Sequence, residues 1–180
     1  MAGPGSDEET VRAALRLALR APSVHNCQPW RWLVGPASVH LYADGARQLP
    51  ATDPHGRDLL MSCGAALDHL LVALASLGRG ARVRRMPNPA HPGHLAVVEP
   101  FPHPAADDDA ALAAAIPRRR TDRRRFSPWP VPPELVGELL ELARVRGVGL
   151  EAITEPAVRW KLFHAITTAA EHQAADPAYA

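Results

Sequence analysis

The stretch from residue 55 to 77 most constrains how this chain can fold. Leu59, Leu60, Leu67, Leu70, Leu71 and Leu74 fall around much of the circumference of a helix, and no proline interrupts them. Apolar residues spread that widely place a helix in a core or at a dimer-like interface. A one-sided core helix is the competing reading. Thr52 or Asp53 can cap the start, and Gly78 stops it. Gly64-Ala65-Ala66 leaves room for another backbone to approach.

The remaining periodicities fit an α+β chain. Ser6 and Glu9 form a capping box before the helical stripe Val11, Ala14, Leu15, Ala18. Alternating segments at 30–34, 39–42, 81–86, 95–99 and 148–153 predict short strands. A short Ala-rich helix to Ile116 and helices over 136–145 and 156–175 complete the pattern. Glu9, Val11, Leu15, Leu17 and Ala18 match Glu134, Val136, Leu140, Leu142 and Ala143 at one constant offset. That self-similarity suggests two related halves, 1–110 and 111–180, the second cut short.

Composition excludes several functions. A net charge of +1 demands neither nucleic acid nor an anionic membrane as partner. Residues 1–10 have no basic or apolar signal region, and 70–77 is too short to span a bilayer, so the expected location is cytoplasmic. Cys27 and Cys63 form no metal or redox motif, and the spacing of His91, His94 and His103 fits no usual metal site. No metal is expected.

Two segments carry chemistry. The first is Ala21-Pro22-Ser23-Val24-His25-Asn26-Cys27-Gln28-Pro29-Trp30. Pro22 ends the preceding helix, since it lacks an N–H and restricts the residue before it. Ser23, Asn26 and Gln28 then offer donors and acceptors from a constrained loop, suited to a flat polar ligand; an ordinary helix-to-strand turn is the alternative. The second is Arg118-Arg119-Arg120-Thr121-Asp122-Arg123-Arg124-Arg125-Phe126. Guanidinium forks match phosphate oxygens, and Thr121 adds a hydroxyl. A solvated basic loop, a nucleic-acid contact and a mononucleotide phosphate pocket compete here. Asp107-Asp108-Asp109 upstream and the lack of interleaved aromatics weigh against nucleic acid.

Taken together, A-P-S-x-x-N-x-Q-P-W and R-R-T-x-R followed by V-P-P-E-L resemble the nitroreductase family of FMN-dependent oxidoreductases. In its single-domain members the arginine segment precedes the loop; here the order is reversed. That layout, and the segment from Asp53 to Ala66, resemble the Acg-type fused branch, whose members are roughly twice as long as one nitroreductase domain. The resemblance implies a nitroreductase-like fold, an antiparallel or mixed sheet packed by helices, and a C-terminally truncated second half. It implies one composite FMN site, with Pro22, Ser23, Asn26 and Gln28 at the ring and ribityl chain, and Arg119, Arg120, Thr121 and Arg123 at the phosphate and flavin edge. One residue is inserted before Phe126 relative to the common form. No side chain acts as acid, base or nucleophile in such chemistry, because the flavin carries it.

The implied activity is hydride transfer from NAD(P)H through FMN to a nitroaromatic or quinone-like acceptor. The expected partners are FMN and a small-molecule acceptor, with a pseudo-dimer inside one full-length chain and a homodimer as a further option. An FMN-sequestering protein with little turnover is the alternative, and a basic nucleic-acid module using residues 118–125 is a third.

Overall fold

A computed structural model describes residues 4–127 and 129–177, with side chains from residue 8 onward. It divides into two compact units, one ending at Thr121 and one beginning at Asp122.

The first unit is a helical layer on one four-stranded antiparallel sheet. Strands β1 (Trp30–Val34), β2 (Val39–Ala43), β3 (Arg79–Arg85) and β4 (His94–Pro102) stand in the order β1-β2-β4-β3. Helix α1 spans Pro4–Ala18, so it begins ahead of Ser6, the expected cap. Helix α2 spans Arg57–Ser76 and α3 spans Asp107–Ala115.

The strand periodicity sorts residues between faces. Val39 and Leu41 are buried, while His40 and Tyr42 point to the other face. β2 pairs β4 with a register shift between Leu41 and Tyr42, which sets Tyr42 opposite His94. At the far edge Phe101 lies over Gly80, where an added Cβ would stand 2.5 Å from the ring, and the Arg82 guanidinium sits 5.4 Å from the same ring's centre.

Helix α2 holds the unit together. Leu59, Cys63, Ala66, Leu67, Leu70, Ala73 and Leu74 are buried, and they form one core cluster with Val39, Leu41, Ala96 and Val98 of the sheet. α1 packs on α2 through Ala14 and Ala18, both fully buried, whose small side chains let the backbones approach. α3 also packs on α2, with Ala113 buried, as is Ile116 in the turn that follows. Helix α2 is long and apolar enough to cross a membrane by length and composition, but nearly half of that stretch is buried in the unit's own core.

Both ends of α2 follow from local chemistry. Gly78, at φ +72°, ends it, with its N–H on the Ala75 carbonyl. Asp53, four positions before Arg57, caps the start, accepting the Leu59 amide at 2.8 Å. Burial alone would raise the Asp53 pKa, but hydrogen bonds from the Leu59, Asp58 and Arg57 amides outweigh it and hold the carboxyl below the usual range.

The second unit contains α4 (Pro133–Val145) and α5 (Pro156–Ala175). The strand expected at 148–153 is absent among the described residues. Gly147, at φ +71°, turns the chain, and the Val148 amide closes the end of α4 on the Ala143 carbonyl at 2.8 Å. Val148, Leu150 and Ile153 remain exposed, with no ladder among the described residues to join.

Candidate ligand loop and arginine segment

The loop 21–29 runs from the end of α1 into β1 in an unusual backbone. His25, Asn26 and Gln28 have φ of 49°, 56° and 47°. The left-handed region costs an L-residue roughly 1–2 kcal/mol, least for asparagine. Such conformations persist only where the surroundings over-determine them, and they cluster at ligand sites.

The fastenings are visible. The Ser23 hydroxyl accepts the Gln28 amide at 3.0 Å, closing the loop on itself. From α2, Ser62 accepts the Val24 amide at 3.4 Å, and the buried Cys63 thiol donates to the Pro29 carbonyl at 3.2 Å. From the turn after β2, one Arg47 guanidinium nitrogen donates to the carbonyls of Cys27, at 3.4 Å, and Gln28, at 3.3 Å. Pro29 and Trp30 anchor the loop's exit in the core. His25 and Asn26 stay exposed. Burial pushes the Cys63 thiol up to about 12, with Cys27 adding to the shift, so Cys63 is a structural donor and not a nucleophile.

The donor set at the loop is neutral. Gln28 donates to the Asn26 side-chain carbonyl at 3.3 Å. That leaves the Asn26 side-chain amino group and the Gln28 side-chain carbonyl for a ligand, and the Ser23 hydroxyl keeps its hydrogen.

The arginine segment begins inside the first unit. α3 and a following turn carry Arg119 back to α1, where its guanidinium donates to the Arg20 carbonyl at 3.4 Å and to the Thr121 hydroxyl at 3.2 Å. The structure therefore brings Arg119 and Thr121 to the residue that precedes Ala21. Arg120 instead donates to the carbonyls of Pro117 and Arg119. Arg123 lies in the second unit, where neighbouring Arg124 pairs with Asp122.

His69 of α2 also bears on this end of α1. Burial holds its pKa below the ordinary value; Asp68 opposes that shift, the Arg119 guanidinium reinforces it, and a hydrogen bond with the Leu17 backbone opposes it. Its buried Nδ1 has no hydrogen-bond partner.

Sequence reasoning missed Arg47, Ser62, Cys63 and His69 as parts of this region. Their partners lie 19 to 38 positions away for the first three, a distance at which no local pattern signals a contact. Asp53, by contrast, stood in the sequence as a helix cap. Among the described residues no group of three or more His, Cys, Asp or Glu is placed to hold a metal ion.

Known proteins resemble this chain. Over 148 residues, 82% of the chain, it is 52% identical to the Mycobacterium tuberculosis protein "Putative NAD(P)H nitroreductase Rv3131". Over 123 residues, 68% of the chain, it is 46% identical to "Putative NAD(P)H nitroreductase acg" of the same organism. The chain is a relative of these two proteins. It spans 43% and 37% of the length of those two proteins, less than half of either. A more distant nitroreductase relative is "Probable NAD(P)H nitroreductase PigM" of Serratia, 35% identical over 80 residues, 39% of the chain and 20% of that protein. No protein-family model matches the chain. Among solved structures, the "Putative NADH Oxidase" of Clostridium acetobutylicum aligns at TM-score 0.44 and 18% identity, over 65% of this chain and 83% of that one. A nitroreductase-family protein from Streptococcus pneumoniae aligns at 0.41 and 14%, over 71% and 87%.

Proposed function

We propose that this nitroreductase relative binds FMN, and that the whole protein uses it to pass hydride from NAD(P)H to a nitroaromatic or quinone-like acceptor. The observation that carries the reading is the hydrogen bond from Arg119 to the Arg20 carbonyl, which sets a phosphate-type donor beside the strained loop.

The chemistry of the donors fits the cofactor. Arg119, Arg120 and Thr121 would hold the phosphate, since guanidinium and hydroxyl donors match its oxygens. Pro22, Ser23, Asn26 and Gln28 would hold the ring edge and ribityl chain, with neutral donors and acceptors against neutral polar atoms. The family resemblance alone assigns Arg123 to the flavin edge, where positive charge favours the reduced, anionic form. When bound, FMN supplies the hydride-carrying centre, and the chain supplies grip and orientation. The cytoplasm is the expected location, and a pseudo-dimer of two related halves is the expected assembly of the whole protein.

The test compares FMN with riboflavin, which lacks the phosphate. Arg119→Ala with Arg120→Ala should weaken FMN by roughly 10- to 100-fold, about 1.4–2.8 kcal/mol, and leave riboflavin unchanged. Equal loss for both flavins would overturn the phosphate assignment. Steady-state NAD(P)H oxidation with a nitroaromatic acceptor tests the activity; tight FMN binding without turnover would leave a sequestering protein.

A further inference from the structure

The loop's strained end is held from a direction that neither motif contains. Arg47 sits in the short turn Gly45–Arg47 that follows β2. Its NH1 nitrogen reaches two successive carbonyls, Cys27 at 3.4 Å and Gln28 at 3.3 Å. Its Nε lies 3.6 Å from the Asp44 carboxylate. Asp44 is fixed in turn: its carboxylate accepts the Ala46 amide at 3.3 Å, and its own amide donates to the Pro29 carbonyl at 2.9 Å. Asp44 and Arg47 therefore form a closed bracket around residues 27–29. Within the bracket stands Gln28, at φ +47°.

A peptide in the left-handed region turns its carbonyl away from the direction an extended chain would give it. At the end of a sheet that carbonyl needs a donor. Arg47 supplies one to each side of the strained residue, joining at the Gln28 carbonyl the Trp30 amide, which donates at 2.9 Å. The other fastenings, Ser62 and Cys63, act at Val24 and Pro29 and leave the two carbonyls at 27 and 28 alone.

We propose that Arg47, oriented by Asp44, is a positioning residue for the ligand loop: it holds the left-handed backbone at Gln28, and through it the directions of the Asn26 and Gln28 side chains. Arg47 touches no part of the ligand in this assignment. The inference rests on the FMN reading and adds a residue that neither the arginine segment nor the loop motif includes.

Titration of FMN and of riboflavin into the full chain, with Arg47→Met, Arg47→Lys and Asp44→Asn, tests it. Arg47→Met should weaken both flavins by the same factor, roughly tenfold, because the loop meets the ring and ribityl chain that the two share. Arg47→Lys should recover most of the loss, since one ammonium can donate to both carbonyls. Asp44→Asn should give a smaller loss of the same kind. A loss confined to FMN would make Arg47 a phosphate contact and overturn the proposal, as would no loss for either flavin. Should Arg47→Met not fold, Arg47→Lys and Asp44→Asn decide: equal losses for both flavins support the proposal, and unchanged affinity overturns it. A wild-type chain that binds neither flavin overturns the FMN reading itself, and amide exchange then tests the bracket alone. Arg47→Met should speed exchange at Cys27 and Gln28 amides, and unchanged rates would overturn it.

Discussion

Gln28 combines an observed backbone strain with a proposed role in holding the flavin. Its φ of +47° suits glycine, and its side chain makes one exposed hydrogen bond to Asn26 at 3.3 Å. Gln28→Gly should therefore stabilise the fold by about 0.5–1 kcal/mol in urea unfolding, because the backbone penalty disappears. The same change should weaken flavin several-fold. Higher stability with unchanged flavin affinity would remove Gln28 from the site. Nothing in the sequence marked this position as left-handed. Asn26 and His25 are residue types enriched at such φ, but Gln28 is not, and the fastenings that hold the loop come from Ser62 and Arg47, far along the chain.

At the scale of elements, the alternation in β2 was plain from residue types: Val39 and Leu41 inward, His40 and Tyr42 outward. The outcome on the outer face was not. The bulge between Leu41 and Tyr42 brings Tyr42 and His94 into a stack with centroids 4.4 Å apart. His40 Nδ1 lies 3.1 Å from His94 Nε2, and Ser38 Oγ lies 2.9 Å from His40 Nε2. Burial first, then the neighbouring His40, lowers the His94 pKa; the Ala96 backbone opposes this, while His91 and Arg84 reinforce it. A histidine held below its unfolded value of about 6.5 takes up its proton more readily unfolded than folded, so its contribution is complete above that pH and is lost as pH falls. His69 is shifted in the same direction and adds the same sign. The urea midpoint should drop between about pH 7 and pH 5, and His94→Gln should flatten part of that slope. A slope unchanged by His94→Gln would place the effect elsewhere. The segment at 148–153 failed as a strand for a reason of the same scale. Alternation describes which face a strand would bury, but a strand exists only beside a partner that takes its N–H and C=O groups.

For the whole molecule, the wide apolar girth of 55–77 announced a central helix, and α2 is that helix. Its neighbours could not be read from the same pattern: α1 meets it through alanines, and α3 packs beside it with Ala113 buried. The first unit's stability rests on that axis. Leu70 is completely buried, and Leu70→Ala should cost about 2–5 kcal/mol by chemical denaturation. The helices of the second unit contain no buried residue. A substitution there such as Leu139→Ala should change stability far less, and an equal loss would contradict the division into units.

The ligand loop is fastened chiefly through its main chain. Val24 and Gln28 offer their amides, and Cys27, Gln28 and Pro29 their carbonyls, to groups that lie mostly outside the loop. A frame built this way takes no fastening from the side chains at 25 and 26, so any residue that tolerates their left-handed backbone can stand there. Mutational drift can exchange those exposed positions while the scaffold persists, so relatives can acquire new ligand preferences without first surrendering stability. A library randomised at His25 and Asn26 alone is the place to look for altered specificity.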